Sequence, residues 1–93
     1  MVGYAIQCKI VTPDRLYFDA EVDYVVIPGV EGEIGILPDH APIVTILAKD
    51  GVVQVENDGK PKKFRVEKGV AEMRNNIVSI LTDQVEEVEE VVG

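Results

Sequence analysis

The chain has no tryptophan and only 5% of its 93 residues are aromatic, so no large rings are available to build a core. Valine, isoleucine, leucine and alanine must do the packing, within a hydrophobic fraction of 46%, and β-branched side chains favour strands over helices. A single cysteine, Cys8, excludes an internal disulfide; with the single histidine, His40, it falls short of the four ligands of a structural zinc site. No metal is expected. Basic residues are scarce, nine Lys and Arg against seventeen Asp and Glu, for a formal net charge of −8. That balance argues against nucleic acid, whose binding needs a basic stripe to displace counterions, and against adsorption on an anionic membrane. No apolar run approaches the roughly 20 residues that cross a bilayer, and Met1-Val-Gly-Tyr4 carries neither a basic region nor a long apolar core for export. The chain reads as cytosolic, with no direct lipid insertion.

What is present is a regular alternation of strand and turn signals, enough for one modest core and for one domain. In Tyr4-Ala-Ile-Gln-Cys-Lys-Ile10 the alternation puts Cys8 on one face with Tyr4, Ile6 and Ile10, as a small core residue and not a reactive thiol. Thr12-Pro-Asp-Arg15 turns the chain into Leu16–Phe18 and Glu21–Ile27, where the run Val25-Val-Ile27 suggests burial on both faces. Ile43–Ala48 follows, and Lys49-Asp-Gly51 leads into Val52–Glu56. Asn57-Asp-Gly-Lys60 is a strong hairpin signal before Phe64-Arg-Val66, and Arg74-Asn-Asn76 is another between Gly69–Met73 and Ile77–Leu81. Eight or nine short strands exceed what one open sheet of this length holds, which predicts an all-β, two-sheet β-sandwich of mostly antiparallel strands over residues 1–83. Residues 84–93 form a short acidic tail that holds Glu86, Glu87, Glu89 and Glu90, half of the net charge. Its valines at 85, 88 and 91 suit the first turns of an amphipathic helix, while its length and like charges suit a frayed end.

The densest information lies in Pro28-Gly-Val-Glu-Gly-Glu-Ile-Gly-Ile-Leu-Pro-Asp-His-Ala-Pro42. Pro28-Gly29 and Glu31-Gly32 ask for tight turns, Gly35 interrupts an apolar run where a backbone or side chain approaches closely, and Pro38 and Pro42 stiffen the segment around His40. Several chemistries fail here. The three-residue repeat of Gly29, Gly32 and Gly35 has no G-K-[ST] and no nearby base to form a phosphate loop. Glu31 and Glu33 flank a glycine as a solvated pair would, no Ser or Cys sits in a nucleophile elbow, and Ser79 lies within a strand. His40 in its turn could act as acid, base or ligand, but a lone histidine makes a poor metal site, and a structural turn residue is the plain reading. No catalytic residue and no cofactor are expected. Lys60 at its hairpin tip is the one candidate for a biotinyl- or lipoyl-type group carrier, although Pro61 beside it departs from carrier settings.

The pattern P-G-x-x-G-x-I-G-I-L-P-x-H-A-P resembles the epsilon subunit of F-type ATP synthase, called delta in mitochondria, and specifically its N-terminal β-sandwich domain. The resemblance extends over residues 3–83 through Ile10-Val-Thr-Pro13, Glu21–Ile27, Lys68-Gly-Val-Ala-Glu72 and Val78–Asp83. It implies a non-catalytic rotor subunit of the central stalk, peripheral at the cytoplasmic face of the bacterial inner membrane, that couples proton or sodium flow to ATP synthesis. It further implies that Glu31, Gly32 and Glu33 face the arginine-bearing polar loops of the c-ring, and that Thr12, His40, Ala41 and Pro42 face the gamma subunit. Many such subunits continue into two C-terminal helices that restrain rotation and in some cases bind ATP. This chain stops where those helices would begin, so coupling without autoinhibition and without nucleotide is expected of it.

Overall fold

A computed structural model describes residues 5–88 and shows ten strands, with no helix among the described residues. They are β1 (Ile6–Val11), β2 (Leu16–Val22), β3 (Tyr24–Gly29), β4 (Gly32–Ile36), β5 (Ile43–Ile46), β6 (Gly51–Asn57), β7 (Lys60–Val66), β8 (Gly69–Arg74), β9 (Ile77–Thr82) and β10 (Val85–Val88). Two five-stranded sheets face each other, in the orders β2-β1-β9-β8-β5 and β10-β7-β6-β3-β4. Every pairing is antiparallel except that of β1 with β9. The all-β sandwich expected from the alternation is the fold observed.

Alternation sends every second side chain inward, and the inward set is aliphatic with one ring. Ile6, Cys8, Ile10, Val78, Ile80, Ala71 and Met73 from the first sheet meet Val25, Ile27, Ile36, Val53, Val55, Phe64 and Val66 from the second, all buried. Phe64 is the one ring in the buried core, and Tyr17 and Phe18 close over it with ring centroids 6.0 and 4.9 Å away. Cys8 lies in this core as expected, and burial pushes its thiol up to about 12. Tyr4, expected on the same face, lies outside the described residues. Val26 differs from the sequence reading: Val25 and Ile27 are buried, but Val26 points to the outer face and is only half-buried, because the second sheet is covered on one side alone.

The chain changes sheets at Asp23, between β2 and β3, so the strand material of Leu16–Ile27 divides there. Turn chemistry sets the remaining corners. Asp58 and Gly59 (φ 55° and 75°) and Asn75 and Asn76 (φ 52° and 62°) fill both central positions of their hairpins with left-handed residues, the geometry that follows strand twist.

The tail departs from the reading of its valines. Val85–Val88 form β10 on the free edge of β7, with Val85 opposite Val66 and Glu86 opposite Arg65, where the carboxylate and guanidinium meet at 2.6 Å. A helix would stack like charges on successive turns, whereas the strand places a base opposite an acid and satisfies an open sheet edge. The buried Thr82 hydroxyl braces the crossing: it accepts from the Glu67 amide at 3.1 Å, and the carbonyls of Glu67, Lys68 and Gln84 lie 3.1–3.2 Å from it to take its one proton. Glu89, Glu90 and Val91 lie outside the described residues.

Candidate functional site

Because consecutive strands run in alternate directions, the connections sort onto two ends of the sandwich. One end gathers the β1–β2 turn, the β3–β4 turn, and the β5–β6, β7–β8 and β9–β10 connections. The other gathers the Asp23 corner, the β4–β5 loop and the β6–β7 and β8–β9 hairpins.

Glu31, Gly32 and Glu33 stand at the first end, all exposed. Gly29 pairs with Gly32, leaving Val30 and Glu31 as the tip, and Gly32 holds φ 133°, a conformation open to few other residues. The tip is braced from behind: the Val30 amide donates to the Ile46 carbonyl at 2.9 Å, and Gly29 bridges to Leu47. Space explains Gly29 and Gly35. A Cβ on Gly29 would lie 2.9 Å from both the Gly32 carbonyl and the Thr45 hydroxyl, and one on Gly35 would lie 2.5 Å from the Tyr24 hydroxyl. Packing, not a phosphate cradle, therefore accounts for two members of the glycine repeat.

The four residues expected on one partner face do not form one compact patch. His40, Ala41 and Pro42 occupy the β4–β5 loop at the second end, where His40 Nδ1 lies 2.6 Å from the Ala41 carbonyl. Thr12 sits at the first end, in a turn closed by hydrogen bonds of 2.9 and 3.3 Å with Arg15. The length of β1, roughly 17 Å at 3.3 Å per residue, separates the two ends.

An exposed apolar track joins them. Pro42 leads into β5, which turns Val44 and Ile46 outward, 68% and 60% exposed. From Ile46 a row crosses all five strands of the first sheet near the first end by direct pairing: Ile46 with Val70, Val70 with Leu81, Leu81 with Val11, and Val11 with Leu16. Each of the five strands contributes one apolar side chain, and Thr12 follows Val11 at the far end. Sequence reasoning missed this row. Its signal was Val70, Leu81 and Val11 at outward positions of their strands, but only the register lines them up.

Beyond Thr12 a polar cleft is lined by Arg15, Tyr17, Arg65, Glu67, Gln84 and Glu86, with the Arg15 guanidinium 5.3 Å from the Tyr17 ring centroid. A hydrogen bond with Asp50, then burial, raises the Glu67 carboxyl above its ordinary range. No group of three or more potential ligands that could hold a metal occurs among the described residues. Lys60 is exposed beside its hairpin turn, opposite Asn57.

Two facing five-stranded sheets, a braced acidic tip and an apolar row across the first sheet define a small all-β sandwich domain. Residues 5–88 match the model of the ATP synthase delta/epsilon chain β-sandwich domain. The ATP synthase epsilon chain of Desulforamulus reducens is 44% identical over 82 residues, 88% of this chain and 61% of the relative. That of Gloeobacter violaceus is 47% identical over 77 residues, 83% of this chain and 58% of the relative. A chain in the cryo-EM structure of Euglena gracilis mitochondrial ATP synthase superposes with a TM-score of 0.86 at 26% identity, covering 99% of this chain and 59% of that one. A chain of the Tetrahymena thermophila central stalk and c-ring structure shares the fold, with a TM-score of 0.72 at 14% identity. The chain belongs to the ATP synthase delta/epsilon β-sandwich family and spans about 61% of the length of the first of these relatives.

Proposed function

We propose that this chain is a non-catalytic central-stalk component of an F-type ATP synthase, linking the gamma subunit to the c-ring at the cytoplasmic face of a bacterial membrane. The apolar track on the first sheet carries the reading: a row of aliphatic side chains across five strands, four of them exposed and Val11 half-buried, suits a surface that a partner covers. His40, Ala41 and Pro42 lie at one extreme of the track and Thr12 at the other, so all four belong to one elongated gamma-facing surface. Glu31, Gly32 and Glu33 project from the adjoining end, where free carboxylates suit the arginine-bearing loops of a c-ring and charge-assisted contacts fix register. The described residues hold no inserting helix, and the role assigned to them is coupling alone. Coupling asks for stiffness, which two hydrogen-bonded sheets packed face to face supply.

The test is a titration of the chain with its gamma subunit. One-to-one binding is expected, weakened at least tenfold, or about 1.4 kcal/mol, both by His40→Ala with Ala41→Glu and by Leu81→Glu at the centre of the track. Absence of binding by folded wild-type chain overturns the reading. The carrier alternative at Lys60 predicts a mass increase on that lysine, and no structural observation favours it.

A further inference from the structure

The gamma-facing turn carries little internal hydrogen bonding of its own. Within residues 37–42 the His40 amide donates to the Leu37 carbonyl at 3.2 Å, and Pro38 and Pro42 have no amide to offer. Asp39, in the middle of the turn, holds the left-handed conformation at φ 66°, which Asp tolerates better than most side chains, and its amide is free of the turn's own hydrogen bond. That amide's partner comes from the other side of the sheet end. Asn76, in the β8–β9 hairpin, is itself left-handed and presents its side-chain amide squarely to Asp39. The Asp39 amide donates to Asn76 Oδ1 at 2.6 Å, and Asn76 Nδ2 donates back to Asp39 Oδ1 at 3.0 Å. The Asn76 carbonyl meanwhile accepts from the Gln7 amide at 2.8 Å, anchoring the hairpin to β1. One residue thus ties the β4–β5 loop to the hairpin through its side chain, and the hairpin to the first strand through its backbone carbonyl.

We infer that Asn76 is a positioning residue for the partner-binding turn: its reciprocal clasp with Asp39 sets the orientation in which His40, Ala41 and Pro42 meet the gamma subunit. This inference rests on the gamma-facing reading of those three residues. Asn76 itself lies outside the apolar track and acts through Asp39. The chemistry is specific. Among Asn, Asp and Gly, the residues that sit easily at φ 62°, only Asn supplies both an acceptor for the backbone N–H and a donor for the carboxylate. Aspartate at 76 would face Asp39 as a like charge. Exchanging the two residues restores a donor and an acceptor, because a side-chain amide at position 39 can donate to a carboxylate at position 76 while the backbone amide of position 39 donates to the same group.

The experiment compares wild type with Asn76→Gly, which keeps the left-handed backbone and removes the clasp, and with the exchanged pair Asp39→Asn with Asn76→Asp. Amide exchange is read on the chain alone, with the core amides of Cys8 and Ile80 as internal reference for folding, and gamma affinity is read separately. In Asn76→Gly the Asp39 amide should exchange about tenfold faster relative to the core, and gamma affinity should fall by about threefold to tenfold. The exchanged pair should hold both quantities within about twofold of wild type. Unchanged Asp39 exchange in Asn76→Gly overturns the clasp, as does failure of the exchanged pair to protect that amide. A loosened turn with unchanged gamma affinity overturns the positioning role. Wild type that does not bind gamma overturns the partner assignment and with it the purpose of the clasp, while the exchange measurements still report on the clasp itself.

Discussion

Cys8 is enclosed between Ile6 and Ile10 with no exposed surface, and its thiol is pushed from 9.0 to about 12, by burial first and by Asp19 second. The protonated form is the one the fold accepts. Stability from that preference is fully present below pH 9 and is lost as pH rises through the folded value near 12. Alkylation by iodoacetamide at pH 8 should therefore be negligible in the folded chain and rapid in urea, and Cys8→Ala should lose stability less steeply between pH 9 and 12 than wild type. Significant alkylation of the native protein would contradict the burial. Cys8 was legible because strict alternation over Ile6–Ile10 fixes which side faces inward. The clasp of Asp39 and Asn76 was not, since the two are far apart in sequence and meet only when the β4–β5 loop and the β8–β9 hairpin reach the same end of the sheet.

Among the elements, β10 separates local preference from tertiary context. The spacing of Val85 and Val88 suits a helix, since residues three apart fall on opposite faces of a strand, and the edge of β7 overrides it. Val85 packs against the core and Glu86 only bridges to an exposed Arg65. Val85→Asp should accordingly cost about 1–2 kcal/mol and Glu86→Ala under about 1 kcal/mol, both read from urea midpoints. A neutral Val85→Asp would return the tail to the frayed end that its composition suggests. Hairpins were the most readable elements: Asn57-Asp-Gly-Lys60 and Arg74-Asn-Asn76 name their turns through residues that accept left-handed backbone. The change of sheet at Asp23 was hidden, because no Pro or Gly marks it and the corner is held from outside. The Asp23 amide donates to the Glu56 carbonyl, and the Asp23 carboxylate accepts from the Asp58 amide. The outward apolar row was equally hidden, since it is a property of register among five strands and not of any one of them.

On the scale of the whole molecule, 37 × 34 × 27 Å across, the acidic tip and the His40 loop lie at opposite ends of one rigid body. On the proposed reading the His40 loop and the acidic tip are far enough apart for substitutions at one to leave the other undisturbed. For binding to an assembled rotor of gamma subunit and c-ring, the costs of Glu31→Ala with Glu33→Ala and of His40→Ala with Ala41→Glu should add within about 0.5 kcal/mol, as for sites with no shared neighbours. A large coupling term would mean that the two ends communicate through the sandwich. The parallel pairing of β1 with β9 also sets a timetable for biogenesis. β1 takes one of its two neighbours from far along the chain, Gln7 waiting for Ile77, so the first sheet stays split until the β8–β9 hairpin arrives. Such high contact order slows folding. In the interval the nascent chain exposes Ile6, Cys8 and Ile10 with one edge unpaired, the stage of its life at which a chaperone has most to protect.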